Sequence, residues 1–563
     1  MAGKTSQEDL VVDNPLRIGA EPVDYALILI YFAVVLLVGV AARRRISSSL
    51  DFLLSGRSLP AWITGLAFIS ANLGAVEVIG MSANGAEYGM PTMHYYWIGA
   101  VPAMLFLGVV MMPFYYGSKV RSVPEFMRRR FGPGAHLVNA ITFALAQVLI
   151  AGINLFLLAT VVNGLLGWPL WVALILAAAI VLSYITLGGL SAAIYNEVLQ
   201  FFVIVAALLP LTLIGLNRVG GVGGLIDRIQ DSEELRSWPG TALAGFGSPV
   251  LSVAGIVFGL GFVLSFGYWT TNFVEVQRAM ATSSTTAARN TPIIASFPKM
   301  FIPFVVVIPG MIAGVLVPEV ARLKAGDPAA GVTYNDAILL LIRDTLPTGL
   351  LGVALTGLLA AFMAGMAANI SAFNTVFSYD LWQTYVKKGR SDGYYLKVGR
   401  WATVGATLLA IGTAFIAAGY GNLMTYLQTL FGFFNAPLFA TFILGILWKR
   451  MTATAGWAGL VSGTLGAIAV WLANELGAIS LPGQGAAFVS AGVAFVVDLV
   501  VSVLVSLVTA PKPAAELGGL VFSETPARLR TDPAATRLPW YRTPVKLAGL
   551  SLLLVTTLNV IFR

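Results

Sequence analysis

Apolar stretches of about 20 residues recur fourteen times along the chain, the length that a helix needs to cross a hydrocarbon core of about 30 Å. They lie near 24–42, 60–86, 93–115, 136–163, 168–187, 190–216, 249–277, 293–318, 349–382, 398–418, 422–447, 454–475, 484–509 and 543–561. In lipid no water is available to bond exposed N–H and C=O groups, so chains that span it do so as helices or closed barrels, and runs of this length select helices. With 58% hydrophobic and 11% charged residues, the chain is too apolar for an ordinary soluble domain. The expected fold class is an all-α polytopic membrane protein with about 14 transmembrane helices. The segment Met1 to Val23 is polar and mixed in charge, without the apolar core of a cleaved signal peptide, so the first helix is expected to direct insertion.

A net charge of +8 would point to nucleic acid in a soluble protein. Here the useful quantity is the division of Lys and Arg between alternate loops. Clusters at Arg43 to Arg57, Lys119 to Arg130, Arg278 and Arg289, Lys387 to Arg400, Lys449 and Arg450, and Lys512 to Lys546 fall on one side. That side is predicted to be cytoplasmic, with both termini outside, and the clusters are read as orientation signals. No nucleic-acid partner is expected; the bilayer is. Zero cysteines exclude disulfides and thiol chemistry.

Two spans are interrupted. The first reads Ala61 to Leu73, Gly74, then Ala75 to Met81; the second, Leu264-Ser-Phe-Gly-Tyr-Trp-Thr-Thr-Asn272, lies about 190 residues later. Broken membrane helices at corresponding places in two halves of a chain point to a secondary transporter, because unwound carbonyls can hold a cation beside a polar solute. Breaks at Asn72–Gly74 and Phe266–Gly267 would each open a group of five spans, 60–216 and 249–447. The remaining expected parts are an external segment 1–23, an extra first helix 24–42, and three peripheral helices in 454–561 with a cytoplasmic linker 511–542. External loops 217–248 and 319–346 could form short lids. Glu77, just past the first break, is costly in lipid unless it faces protein or water, and Lys299 falls within a predicted span, whereas Arg400 and Lys546 stand at the edges of theirs and are counted with the loops.

The text Phe52-Leu-Leu-Ser-Gly-Arg-Ser-Leu-Pro60, Ser70-Ala-Asn72, Ile79-Gly-Met-Ser82, Val123-Pro-Glu-Phe-Met-Arg-Arg-Arg-Phe131, Gly188-Gly-Leu-Ser-Ala192, Gln277-Arg278, Lys299-Met-Phe-Ile-Pro303, Ser378-Tyr-Asp-Leu381 and Leu447-Trp-Lys-Arg450 resembles the sodium:solute symporter family, especially its sodium/sugar cotransporters. The motifs occur in family order from about residue 24 to 510. The resemblance implies a LeuT-type core of two inverted five-helix repeats, with solute and sodium near the mid-plane.

It also implies site residues. Solute positions fall on Glu77, Tyr96, Ser265, Tyr268, Lys299 and Gln428. Glu77 stands where sugar-transporting relatives carry glutamine, Tyr96 where they carry glutamate and Ser265 where they carry asparagine. Glu77 either faces solute or enters an internal ion pair; Lys299 either contacts solute or snorkels to the inner interface. A Glu77–Lys299 pair would line a pocket suited to a neutral polyol. Gln428 either contacts solute or bridges helices, and Tyr268 either closes the inner side of the site or packs. Sodium positions fall on the carbonyls of Ser70, Leu73 and Ala361 and on Ala364 and Gly365, where the family's two serine hydroxyls are missing. The Ser70 hydroxyl would return one oxygen, and Asn369 lies one turn beyond Gly365. Glu197 keeps an acid near the implied ion exit route. His94, one of two histidines, reads as interfacial rather than proton-linked.

The expected activity is symport of a small polar organic solute, sugar or polyol favoured, with sodium as the coupling ion. Proton-coupled symport of a monocarboxylate or amino-acid-like solute stays open, supported by the missing hydroxyls and by Glu77 and His94. A passive channel would show continuous polar stripes rather than broken helices. The absence of Gly-x4-Gly-Lys-Ser/Thr argues against ATP drive, and the absence of a His or Cys cluster argues against a catalytic metal.

Overall fold

The computed structural model describes residues 17–43, 55–118, 120, 122–238, 255–327, 329–481, 484–526 and 538–563. Most of the predicted external segment 1–23, Phe52 to Leu54 of the first motif, Arg44, Arg45, Lys119, Arg121, residues 239–254 and much of the linker around 527–537 lie outside the described residues. The described chain is helical, with an isolated bridge between Leu59 and Thr282 and no named strand.

In chain order the main helices are α1 (Pro22–Arg43), α2 (Ala61–Asn72), α3 (Ala75–Tyr88), α4 (Met90–Gly117), α5 (Pro133–Leu166), α6 (Leu170–Val219), α7 (Ile256–Thr271), α8 (Phe273–Met280), α9 (Thr285–Leu316), α10 (Leu350–Val386), α11 (Asp392–Ala417), α12 (Leu423–Leu447), α13 (Ala453–Glu475), α14 (Gly485–Val508) and α15 (Pro544–Ile561). Ten are long and apolar enough to cross a membrane, and twelve spans result if each bent pair, α2–α3 and α7–α8, counts as one. The predicted count of about 14 additionally needs the shorter apolar helices Pro22–Val38 and Leu170–Ser183.

Three expectations are corrected. The spans predicted at 168–187 and 190–216 belong to one helical run, α6, of 50 residues. At 1.5 Å per residue this is about 75 Å, more than one crossing; its two apolar windows, Leu170–Ser183 and Ala193–Val219, occupy its two halves. The second break is at Asn272, where φ −71° and ψ 115° leave the helix, and not at Phe266–Gly267. Asn272 Oδ1 accepts the Val274 N–H at 3.0 Å, a side-chain N-cap that starts α8. Gly267 serves packing: a methyl there would lie 3.0 Å from the Asn435 carbonyl oxygen, the close approach that small residues permit between membrane helices. Arg278, counted as a loop cation, is fully buried in α8.

The first break stands where the sequence places it. Leu73 (φ −73°, ψ 48°) and Gly74 (φ −83°, ψ −174°) separate α2 from α3, which meet at a bend of 56°; α7 and α8 meet at 47°. Bonds from Leu59 N–H to the Ala281 carbonyl (3.2 Å) and from Ser283 N–H to the Leu59 carbonyl (3.1 Å) tie the start of α2 to the end of α8. Helix α9 runs beside both halves of the first broken helix, with Thr64 and Thr291 hydroxyls 2.7 Å apart and Ser82 Oγ donating to the Val306 carbonyl at 2.7 Å. Outside this core, the loop predicted as a lid at 319–346 forms helices Pro318–Lys324 and Ala337–Thr345, which pack on α3. Lys324 is ion-paired with Glu234 of the other predicted lid loop.

Candidate functional site

Helix α9 loosens at residues 300–302, between Pro298 and Pro303, and Lys299 ends its first segment. Because the span begins at Thr285 rather than near 293, Lys299 sits near its middle and is 2% exposed, which rules out snorkelling to the inner interface. Its ammonium donates to Glu77 Oε1 at 2.5 Å and Oε2 at 2.7 Å, and also to Asn72 Oδ1. The internal ion pair left open by the sequence is therefore formed. Glu77 lies in the first turn of α3, where the helix N-terminus favours a negative charge.

Rings complete the ammonium's surroundings, with Nζ 5.0 Å from the Tyr96 centroid and 5.2 Å from that of Trp269, both within cation–π range. Tyr96 is on a π-helical stretch of α4, Tyr95–Ala100, which faces another, Gly255–Ser265, at the start of α7. Such wide turns in membrane and soluble helices often mark functional sites. From Asn72 a chain of bonds continues: Asn72 Nδ2 donates to Tyr268 Oη at 3.0 Å, and Tyr268 Oη donates to Glu275 Oε1 at 2.9 Å. The Tyr268 ring rests on Phe431 at 4.6 Å. Gln428 Nε2 points to Met424 Sδ at 3.3 Å.

All six predicted solute positions, Glu77, Tyr96, Ser265, Tyr268, Lys299 and Gln428, line one cavity of about 100 Å³ between the two breaks, space for several waters. Asn72, Trp269, Asn154 and Asn272 line it too and were not singled out from the sequence. Glu275, fully buried beside them, was equally readable by the rule that drew attention to Glu77: an ionisable residue inside an apolar span. His94, near the start of α4, is buried against Trp238, with ring centroids 4.2 Å apart, and does not line the cavity.

Of the predicted ion positions, Gly365 reaches the cavity and the buried Ser70, Leu73, Ala361 and Ala364 lie behind its lining. Gly74 N–H, which in a continuous helix would bond the Ser70 carbonyl, bonds the Asn72 carbonyl at 2.7 Å instead. Ser70 Oγ is buried without a partner among the described residues. Asn369 Nδ2 donates to the Gly365 carbonyl at 2.8 Å. These neutral oxygens gather at the C-terminal end of α2, whose dipole favours a cation, so the donor set fits a hard monovalent ion. Glu197 does not join them: it is fully buried in an ion pair with Arg278, which also donates to the Val274 carbonyl at 2.8 Å.

Comparison with known proteins agrees with this geometry. Residues 52–463 match the model of the sodium:solute symporter family. The chain is 28% identical over 459 residues to a sodium/glucose cotransporter of Vibrio parahaemolyticus, covering 79% of this chain and 84% of that protein. It is 29% identical over 472 residues to sodium/myo-inositol cotransporter 2 of Mus musculus, covering 79% and 69%. Its fold matches that of a substrate-bound, outward-open sodium-coupled sialic acid symporter with a TM-score of 0.71 at 19% identity, covering 87% of this chain and 98% of that one. The chain, a multi-pass membrane protein of LeuT-type fold, therefore belongs to the sodium:solute symporter family, with sodium as its coupling ion.

Proposed function

We propose that the protein carries a neutral, hydroxyl-rich solute, a sugar or polyol, into the cell together with sodium by alternating access across the cell membrane, with both termini outside. The observation that carries this reading is the Glu77–Lys299 pair at the meeting of the two broken helices. A paired carboxylate and ammonium present polar groups without net charge, so a neutral solute can enter without separating them. Separating buried charges without replacement is expensive. Tyr96, Tyr268, Trp269 and Phe431 offer ring faces to the C–H side of such a solute, and the Gln428 amide can donate and accept hydrogen bonds with hydroxyls. The names of the relatives, cotransporters of glucose and myo-inositol, support the same class.

Counterflow in proteoliposomes against sugars, polyols, monocarboxylates and amino acids tests the proposal. Exchange with a sugar or polyol, raised by an inward sodium gradient, is the expected result. Exchange confined to monocarboxylates or amino acids would overturn the solute class. Uptake indifferent to replacement of sodium by choline, and abolished by a protonophore at zero membrane potential, would replace sodium with protons.

A further inference from the structure

Asn154, near the middle of α5, carries a buried oxygen with no hydrogen-bond donor. Its Nδ2 donates to the Ile150 carbonyl one turn back at 3.0 Å, which fixes the amide plane and turns Oδ1 away from its own helix. The residue is 2% exposed, and Oδ1 has no partner among the described residues, a state that costs free energy unless something else satisfies it. Oδ1 lies in a notch between two glycines on two other helices. A methyl on Gly365 would sit 2.6 Å from Oδ1 and 3.2 Å from the Gly74 Cα, and one on Gly74 would sit 3.4 Å from Oδ1. The notch is at the break after α2, where Gly74 N–H no longer bonds the Ser70 carbonyl and where Ser70 Oγ, earlier in the last turns of α2, has no partner among the described residues. Asn154, Gly74 and Gly365 all line the solute cavity.

We propose that Asn154 Oδ1 is a side-chain ligand of the coupling sodium ion, held at the first helix break by an oxygen that reaches across from α5. Residues 364 and 365 offer no hydroxyl, and the space that a side chain at 365 would take is filled by the amide. This assignment rests on the sodium-coupled symport proposed above. The ion would be bound by neutral oxygens alone, with its charge offset by the C-terminal end of α2.

The test is a sodium titration of the purified full chain without solute, at constant ionic strength with choline, read by tryptophan fluorescence and by thermal stability, and repeated as sodium activation of counterflow. Removing one oxygen ligand in N154L is expected to raise the sodium half-saturation roughly tenfold, equivalent to ~1.4 kcal/mol. N154D keeps an oxygen and is expected to bind sodium at least as tightly as the parent. G365S alone crowds the amide and should weaken binding, whereas N154A/G365S replaces the amide oxygen with a hydroxyl and should recover most of what N154A loses. A parent that responds to sodium while N154L and N154A keep its half-saturation within twofold would overturn the assignment and leave sodium coupling intact. A parent with no response to sodium over choline would overturn both.

Discussion

Breaking the Glu77–Lys299 pair one partner at a time is the sharpest test of the proposed site. The two contacts of 2.5 and 2.7 Å join side chains that are 8% and 2% exposed, so bulk water does little to screen them. At an effective dielectric of about 20, unit charges roughly 4 Å apart attract by about 4 kcal/mol, and removing one partner of a buried pair typically costs about 3–5 kcal/mol. K299M should approach the upper end of that range, because Glu77 loses both bonds from the ammonium. E77Q should approach the lower end: Lys299 keeps Asn72 as an acceptor and keeps the Tyr96 and Trp269 rings. In the double variant neither charge remains, so its loss should fall short of the sum of the single losses by about 2 kcal/mol or more. The measurement is solute affinity by counterflow for the parent, both single variants and the double variant, each reconstituted at equal protein. Losses that add within about 0.5 kcal/mol would show that the residues act independently, and parental affinity in all three would remove them from the solute site.

Ser70→Ala removes a buried hydroxyl that has no partner among the described residues; the expected result is a higher sodium half-saturation with the order of solute preference unchanged, read from sodium activation of uptake. Asn72→Ala takes from Lys299 its neutral acceptor and from Tyr268 a donor, at a residue adjoining the break proposed to bind the ion. It should reduce the factor by which sodium raises solute affinity, and by linkage the factor by which solute raises sodium affinity. A variant that alters one factor and not the other would refute this link. Arg278→Met leaves Glu197 as an uncompensated charge in a fully buried position, so it should lower stability by about 3–5 kcal/mol, with much of the loss recovered in R278M/E197M. The apparent melting temperature of the detergent-purified protein is the readout.

The bilayer made most of the fold readable, because hydrocarbon thickness sets the length of every apolar run that crosses it. Errors arose where one residue type answers to two physical demands. Glycine both interrupts helices and lets them pack, and Gly267 does the second against α12 while the break falls five residues later at Asn272. Asparagine stands at both breaks: Asn272 accepts the freed Val274 N–H that starts α8, and Asn72 joins Lys299 to Tyr268. Lys299 was placed near a helix end because the prolines, threonines and polar residues from Thr285 to Pro298 lower the hydropathy of the first half of α9. Those prolines and the turn at 300–302 are what place its ammonium at mid-span. Charge counting likewise assigned Arg278 to a loop, and its partner Glu197 is 81 positions away, a separation at which no local pattern records the pairing. The same holds for the first break: Asn72, Glu77 and Lys299 come from three helical segments. Their types mark each as out of place in lipid. Their mutual satisfaction follows only when α9 runs beside both halves of the broken helix. Asn72 then stands between the two proposed functions, in the last turn before the carbonyls proposed to bind the ion and in direct contact with Lys299, proposed to face the solute. A cation that orders the break must also fix the acceptor that positions the ammonium, which gives coupling a physical route of one side chain.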